Sequence, residues 1–189
     1  MSRSSQTFKK FNNAIQLLKD GSIDPLYFLM GDDQFLQKFF IDQLEIELSK
    51  IEPVDKTILT VDELGSKEVI NKIKESDLFS SKKIIILRGP NLLRGKTRDE
   101  LLDYCSNPSL NKYLVFIQDE FSLKNKLIKV LASNSTTVST STPFENELRA
   151  WVSYFFKENG YEDIPSKIID DLLSIFGESV FTLKNEIDK

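Results

Sequence analysis

The fold of this chain is decided by residues 26–36, which read LYFLMGDDQFL. The first five of these residues are apolar without interruption, a pattern typical of a strand covered on both faces of a sheet. Gly31-Asp32-Asp33 then predicts a turn, in which an Asp is suited to cap the following helix. That helix has a broad apolar face, made of Phe35, Leu36, Phe39, Phe40 and Leu44. The stretch therefore predicts a buried strand, a turn and an amphipathic helix.

Strand and helix patterns alternate on both sides of this stretch. The preceding residues predict a helix with an apolar face of Phe11, Ile15 and Leu18, which ends at Gly21. Four later runs predict strands, at residues 57–61, 83–87, 114–117 and 136–140. Helices are predicted to start at the cap Ser66, to span residues 97–104 and to start at Ser122. The alternation predicts an α/β fold, a three-layer parallel sheet of about five strands with helices on both faces.

The composition changes at Thr142-Pro143, where we place a domain boundary. Residues 1–142 are assigned to the α/β domain, and residues 143–189 to the start of a small all-helical domain. The second part shows no strong strand pattern, and its helical faces include Leu148, Trp151, Val152 and Phe155. The sequence stops within its last amphipathic helix, which favours a truncated piece of a longer protein.

The composition of the 189 residues excludes several classes of site. Hydrophobic residues make up 40% and charged residues 29%, with a formal net charge of -4, as in an ordinary globular protein. Cys105 is the only cysteine and histidine is absent, which excludes a disulfide framework, a Ser-His-Asp triad and nearly all transition-metal sites. The first residues lack the apolar core of a signal peptide, and no apolar run reaches membrane length. The sequence predicts a cytoplasmic protein.

Gly95-Lys96-Thr97 resembles the end of a phosphate-binding P-loop, because it follows a predicted strand and opens a predicted helix. The motif requires a glycine where this chain has Pro90, and Gly89 is one residue too early. Since proline has no amide hydrogen, it cannot contribute to a cradle of backbone amides around phosphate. This spacing indicates a decoy rather than a nucleotide site.

An α/β domain followed by helices is also the outline of an AAA+ ATPase, whose phosphate loop follows the first strand. In this chain that turn carries Asp32 and Asp33 where a lysine and a hydroxyl are needed. The third strand ends in Arg88-Gly89 rather than in a magnesium-binding acidic pair, and residues 118–120 imitate that pair one strand too late. These features indicate an AAA+/RecA-like architecture with a degenerate nucleotide site.

Four segments, in the same order and over nearly the whole chain, resemble segments of one known family. Residues 25–36 are similar to its strand-Gly-acid-x-acid/polar-Phe-Leu segment. Residues 148–152 and 176–186 resemble its Leu-x-x-Trp-Ile/Val and Gly-x-Asp-Leu-x-x-Leu-x-Asn-Glu segments. Residues 75–87 resemble the part that carries an exposed Leu-Phe pair before the third strand. The family that these segments resemble is the delta subunit of the bacterial DNA polymerase III clamp loader.

The resemblance implies that Leu78 and Phe79 enter a hydrophobic pocket on the sliding clamp, with Asp77, Ser80 and Ser81 at the rim. It implies a non-catalytic subunit of the polymerase holoenzyme that opens the clamp ring for DNA replication, with no ATP hydrolysis, cofactor or metal of its own. Its implied partners are the clamp, other loader subunits and primed DNA, and no membrane. The family's third domain, the collar that holds the loader ring together, is missing from these residues.

Three other interpretations remain open at this stage. Leu78 and Phe79 could be ordinary core residues, since an apolar pair between helix and strand usually folds inward. The chain could be a divergent P-loop NTPase that uses Lys96, Thr97 and Asp119. It could also be a regulatory α/β interaction domain in which Asp32 and Asp33 bind a metal, although helix capping is the favoured role for these acids.

Overall fold

The computed structural model describes residues 4–75, 82–120, 122–177 and 179–189. Its centre is a five-stranded sheet with the order β2-β3-β4-β1-β5. All four pairings of neighbouring strands are parallel. The strands are β1 (Leu26–Met30), β2 (Val54–Thr60), β3 (Lys82–Arg88), β4 (Lys112–Gln118) and β5 (Thr136–Ser139).

Helices connect the strands and follow the last of them. Those of the α/β part are α1 (Ser4–Lys19), α2 (Gln34–Ser49), α3 (Val61–Leu64), α4 (Ser66–Lys74), α5 (Gly95–Ser106) and α6 (Lys126–Asn134). A short 3-10 turn, Pro90–Leu92, lies between β3 and α5. The chain continues through α7 (Glu145–Glu158), α8 (Ser166–Phe176) and α9 (Val180–Ile187).

Each face of the sheet is covered by its own apolar layer. On β1, Tyr27 and Leu29 belong to one cluster, which α1, α2 and α7–α9 complete. Leu26, Phe28 and Met30 belong to the other, which α3–α6 complete. Successive side chains of a strand point to opposite faces, so the uninterrupted apolar run of β1 meets both layers. This confirms the predicted three-layer α/β fold.

The helices α7–α9 share the first of these two clusters with the α/β part. Trp151 is buried, with its ring centroid 5.2 Å from that of Phe11 in α1 and 5.6 Å from that of Phe155. Phe35 and Phe39 of α2 also contact the Phe155 ring, at centroid distances of 6.5 and 6.1 Å. The division into domains 1–142 and 143–189 stays a prediction.

Two predicted helix starts were wrong. Ser66 is the first residue of α4 rather than its cap. The cap position is held by Gly65, which has no side chain with which to form a cap hydrogen bond. The helix predicted from Ser122 begins at Lys126 instead, because the Asn125 side chain accepts a hydrogen bond from the Leu127 amide at 2.8 Å. Both predictions relied on a serine to mark the start of a helix, as its cap at Ser66 and as its first residue at Ser122.

Two strands have bounds that differ from the predicted ones, and backbone hydrogen bonding explains both differences. β2 starts at Val54, earlier than predicted, because it pairs with β3 from Lys82 onward. β5 ends at Ser139, since the carbonyl of Thr140 accepts a hydrogen bond from the Asp33 amide. Across the described ranges, no helix combines the length and the apolarity that a membrane crossing requires.

Candidate functional site

The turn after β1 lies where the phosphate loop of an AAA+ fold would lie, and its backbone amides bond within the chain. The Gly31 amide donates to the Gln118 carbonyl at 3.0 Å, and the Asp33 amide donates to the Thr140 carbonyl at 2.9 Å. The Leu36 amide donates to the Asp33 carboxylate at 3.0 Å. A phosphate cradle needs such amides to point at the ligand. In this turn they hold β4, β5 and α2 together instead.

Gly31 is in close contact with the chain that leaves β5. Its φ is +140°, and a Cβ atom at this position would lie 2.1 Å from the Ser141 amide nitrogen and 2.2 Å from the Thr140 carbonyl carbon. Such distances are far inside van der Waals contact. The turn therefore has backbone packed directly against it.

The two acids of the turn have separate roles. The Asp32 carboxylate accepts a hydrogen bond from the Thr142 amide at 2.9 Å, and this bond lowers the pKa of Asp32. Desolvation raises the pKa of Asp33, while hydrogen bonds from the amides of Leu36 and Phe35 oppose that rise. The predicted capping role is confirmed for Asp33. Within the part of the chain that the structure describes, no group of three or more acidic, Cys or His side chains could hold a metal ion.

A polar network of Gln37, Arg88 and Asp119 occupies the adjacent carboxyl edge of the sheet. The Gln37 side-chain amide donates to Asp119 and to the Gly31 carbonyl, both at 2.9 Å. The Arg88 guanidinium donates to the Gln37 side-chain oxygen at 3.1 Å and lies 3.5 Å from the Asp119 carboxylate. Gln37 is 0% exposed, so these contacts satisfy a polar group that would otherwise be costly to bury. The network links α2, the end of β3 and the residue that follows β4.

Sequence reasoning missed Gln37. The only available signal was a polar residue within the apolar face of α2, next to Leu36. From sequence alone, Arg88 is a departure from a magnesium site, and Asp119 belongs to an imitation of that site and to the P-loop alternative. Their actual partners come from two different elements, which a linear sequence does not bring together.

The residues of the P-loop alternative do not form a site together. Lys96 has a side chain that is 90% exposed and lies 3.8 Å from the Glu100 carboxylate one helical turn later. The Thr97 hydroxyl donates to the Arg94 carbonyl at 2.8 Å. Asp119 contacts α2 and β3 instead. Gly95 opens α5 as expected, but a 3-10 turn starting at Pro90 replaces the loop.

The candidate clamp-binding segment lies between α4 and β3. Leu78 and Phe79, together with the rim residues Asp77, Ser80 and Ser81, lie outside the described residues. The described flanks are Glu75, whose amide donates to the Asn71 carbonyl at 2.8 Å, and Lys82, which pairs with Val54 of β2. An open depression of about 200 Å³ touches both flanks, and its lining includes Glu75 and Lys83.

Two residues at the start of β4 contact both flanks. The Lys112 ammonium donates to the Glu75 carbonyl and, at 3.3 Å, to the Ile73 carbonyl. The preceding residue, Asn111, accepts a hydrogen bond from the Lys83 amide at 2.9 Å. Lys112 is only 7% exposed, which is unusual for a lysine. Sequence alone does not indicate these contacts, since a lysine at the start of a strand normally lies in solvent.

A protein-family model matches more than half of this chain. The family model described as DNA polymerase III, delta subunit, matches residues 27–141. The chain belongs to the DNA polymerase III delta subunit family. The match runs from β1 to the residues that follow β5, and so includes the turn at Gly31 and the segment around Leu78. A comparison with curated proteins finds no match.

Solved structures show that this delta-family chain has the expected fold. The DNA clamp loader delta protein of Bacillus subtilis is similar over 94% of this chain, with a TM-score of 0.77 and 15% sequence identity. The chain spans 56% of the length of that protein. A RuvB variant of Thermotoga maritima is similar over 97% of this chain and 60% of its own, with a TM-score of 0.54 and 9% identity. These likenesses show that the delta-family chain shares the fold of these two proteins over most of its length.

Proposed function

We propose that this chain is the clamp-opening part of a clamp-loader delta subunit and that it binds the sliding clamp through Leu78 and Phe79. The observation that carries the proposal is the family match over residues 27–141, which contains both side chains. The described flanks add support, since α4 and β3 hold the two ends of this segment on the α/β core. Asp77, Ser80 and Ser81 keep the rim of the pair hydrated.

The pair can dominate a small interface energetically. Burying one Leu and one Phe side chain contributes roughly 3–6 kcal/mol before the costs of association are subtracted. Affinity in such interfaces is concentrated in a few apolar or aromatic side chains that fill pockets. The chain opens the ring by binding more tightly to a clamp whose subunit interface is parted, which shifts the clamp's population toward the open form.

Ring opening by this chain needs no ATP hydrolysis of its own. The amides of Gly31 and Asp33 are bonded to the chain, and Arg88 and Asp119 contact each other at the edge where a nucleotide would bind. Asp32, whose pKa is lowered by the Thr142 amide, keeps a negative charge in the turn that would repel a triphosphate. Control by ATP then comes from neighbouring loader subunits, which are the further partners together with primed DNA.

The two parts of the chain have different roles in this proposal. Residues 1–142 form the AAA+-like unit that carries the clamp-binding segment. Residues 143–189 form the helical unit that follows it. Trp151 ties the second unit to α1 of the first, with its ring 5.2 Å from that of Phe11.

The experiment is a titration of the purified chain against its cognate clamp, with and without ATP and Mg²⁺. We expect a complex with the clamp in both conditions and no change in the midpoint of thermal unfolding when ATP is added. A ligand at a hundred times its Kd stabilises a protein by about 2.7 kcal/mol, so nucleotide binding would be visible as a higher midpoint. ATP-dependent stabilisation or hydrolysis that is lost in Lys96→Ala would favour the P-loop NTPase instead.

A further inference from the structure

Among the described residues, the two most exposed large apolar side chains lie at the same edge of the sheet. Leu110 is 92% exposed and Ile51 is 78% exposed. Leu110 precedes the start of β4 by two residues, and Ile51 precedes the start of β2 by three. Because the strands are parallel, both of these strands start at the amino edge. Single exposed apolar side chains are common on protein surfaces, so the feature that distinguishes these two is their shared location.

Both residues lie next to the start of β3, the strand between β2 and β4. The residue after Ile51 is Glu52, whose carboxylate lies 3.7 Å from the Lys82 ammonium. The residue after Leu110 accepts a hydrogen bond at its carbonyl from the Lys83 amide, at 2.9 Å. Neighbouring strands are about 4.8 Å apart, so β2 and β4 are separated by about 10 Å. Ile51 and Leu110 therefore lie on either side of the first residues of β3.

The backbone at both positions is held by hydrogen bonds within the chain. The Ile51 amide donates to the Leu48 carbonyl at 3.3 Å, just after the end of α2. Leu110 lies in a turn that the hydrogen bond from the Lys112 amide to the Ser109 carbonyl closes, also at 3.3 Å. Neither side chain is among the described residues that form the two apolar clusters of the sheet. Side chains on a restrained backbone lose less conformational entropy when a partner covers them.

We propose that Ile51 and Leu110 form a second apolar contact surface for the sliding clamp, at the amino edge of the sheet. This inference rests on the proposed function, and the surface itself consists of residues that the structure describes. The partner follows from chain connectivity. Phe79 precedes Lys82 by three residues, and three residues of chain span at most about 11 Å. A clamp that binds Phe79 is therefore brought to the edge where Ile51 and Leu110 lie.

The chemistry of this surface suits a protein partner. Its two aliphatic side chains offer apolar area, and the pair of Glu52 and Lys82 lies beside them as a polar rim. Apolar area that a partner removes from water contributes to binding in proportion to its size. Contacts around a hot spot contribute less than the hot spot itself. Ile51 and Leu110 thus add to an affinity that Leu78 and Phe79 dominate.

The test removes both aliphatic side chains from the surface. Ile51→Ser/Leu110→Ser should keep the circular dichroism spectrum and the unfolding midpoint of the wild type, because exposed substitutions seldom change stability. We expect the Kd for the cognate clamp to rise about tenfold, which corresponds to roughly 1.4 kcal/mol. Ile51→Leu/Leu110→Ile keeps the apolar area and should bind like the wild type.

A matched control and a direct readout accompany this variant. Ile168→Ser/Ile175→Ser removes two aliphatic side chains of α8 that are 46% and 68% exposed, and should leave clamp affinity unchanged. A benzophenone crosslinker placed at position 110 should become linked to the clamp on illumination, whereas the same group at position 175 should not.

The outcomes are distinct. Unchanged clamp affinity in Ile51→Ser/Leu110→Ser, an equal loss in the α8 control, or equal crosslinking at positions 110 and 175 would overturn the second contact and leave the proposed function standing. Self-association of the wild-type chain that the serine variant abolishes, with clamp affinity unchanged, would assign the surface to a second copy of the chain and overturn the inference. Failure of the wild-type chain to bind the clamp would overturn the proposed function and this inference with it.

Discussion

Gly31→Ala is expected to lower the free energy of unfolding by roughly 3–5 kcal/mol, because two penalties combine at this position. The glycine has a φ of +140°, a conformation that residues with a Cβ atom rarely adopt. The added carbon would also lie 2.1 Å from the Ser141 amide nitrogen and 2.5 Å from the Thr140 carbonyl oxygen. Both obstacles are backbone atoms, which cannot turn away as a flexible side chain can. Urea denaturation followed by circular dichroism measures the loss.

Gly21→Ala is the matched control for this prediction. Gly21 also has a positive φ, +79°, but no atom lies within 4 Å of the position that its Cβ would occupy. We expect a loss of about 1 kcal/mol, due to backbone strain alone. Equal losses of stability in the two variants would show that close contact with residues 140–141 is not what requires glycine at position 31.

Trp151→Ala is expected to cost about 3–5 kcal/mol, as large aromatic truncations in well-packed cores do. The side chain is 1% exposed, and its ring lies 5.2 Å from Phe11 and 6.0 Å from Tyr154, measured between centroids. Its removal would leave a cavity between α1 and α7. Because the chain has a single Trp, unfolding must be followed by circular dichroism rather than by tryptophan fluorescence.

Ile175→Ala is the corresponding control on α8. This isoleucine is 68% exposed, so its truncation should change the stability by no more than roughly 0.5 kcal/mol. A loss for Trp151→Ala as small as that of the control would show that α7 is not part of the same core as α1.

The sheet could be predicted from sequence because its strands are buried on both faces. A continuous apolar run has few other places to lie, and β1 was predicted with the bounds Leu26–Met30 that the structure has. Helix starts were predicted less well, because a serine near a helix start is chemically able to cap, whereas Gly65 and Asn125 hold the cap positions of α4 and α6. A capping Asp was predictable because Asp32 and Asp33 lie in the short turn between a strong strand and an amphipathic helix.

The candidate site was only partly accessible to sequence reasoning. The acids after β1 and the proline before α5 indicated a degenerate nucleotide site from local chemistry. The network of Gln37, Arg88 and Asp119 joins three elements and required the fold to be seen. The role of Lys112 also depends on a long-range contact, here with the end of α4. Leu78 and Phe79 came from family resemblance, because their own chemistry equally suits a core.

The central claim is tested most directly by measuring the affinity of the cognate sliding clamp for the wild-type chain and for Leu78→Ala/Phe79→Ala. The matched control is Ile175→Ala/Phe181→Ala, which removes an aliphatic and an aromatic side chain that are 68% and 54% exposed elsewhere on the surface. All variants should show the same circular dichroism spectrum. We expect the first double variant to bind at least about a hundredfold more weakly, a loss of roughly 2.7 kcal/mol, and the control to bind like the wild type. Undiminished binding by folded Leu78→Ala/Phe79→Ala, or no binding by the wild-type chain, would contradict the account.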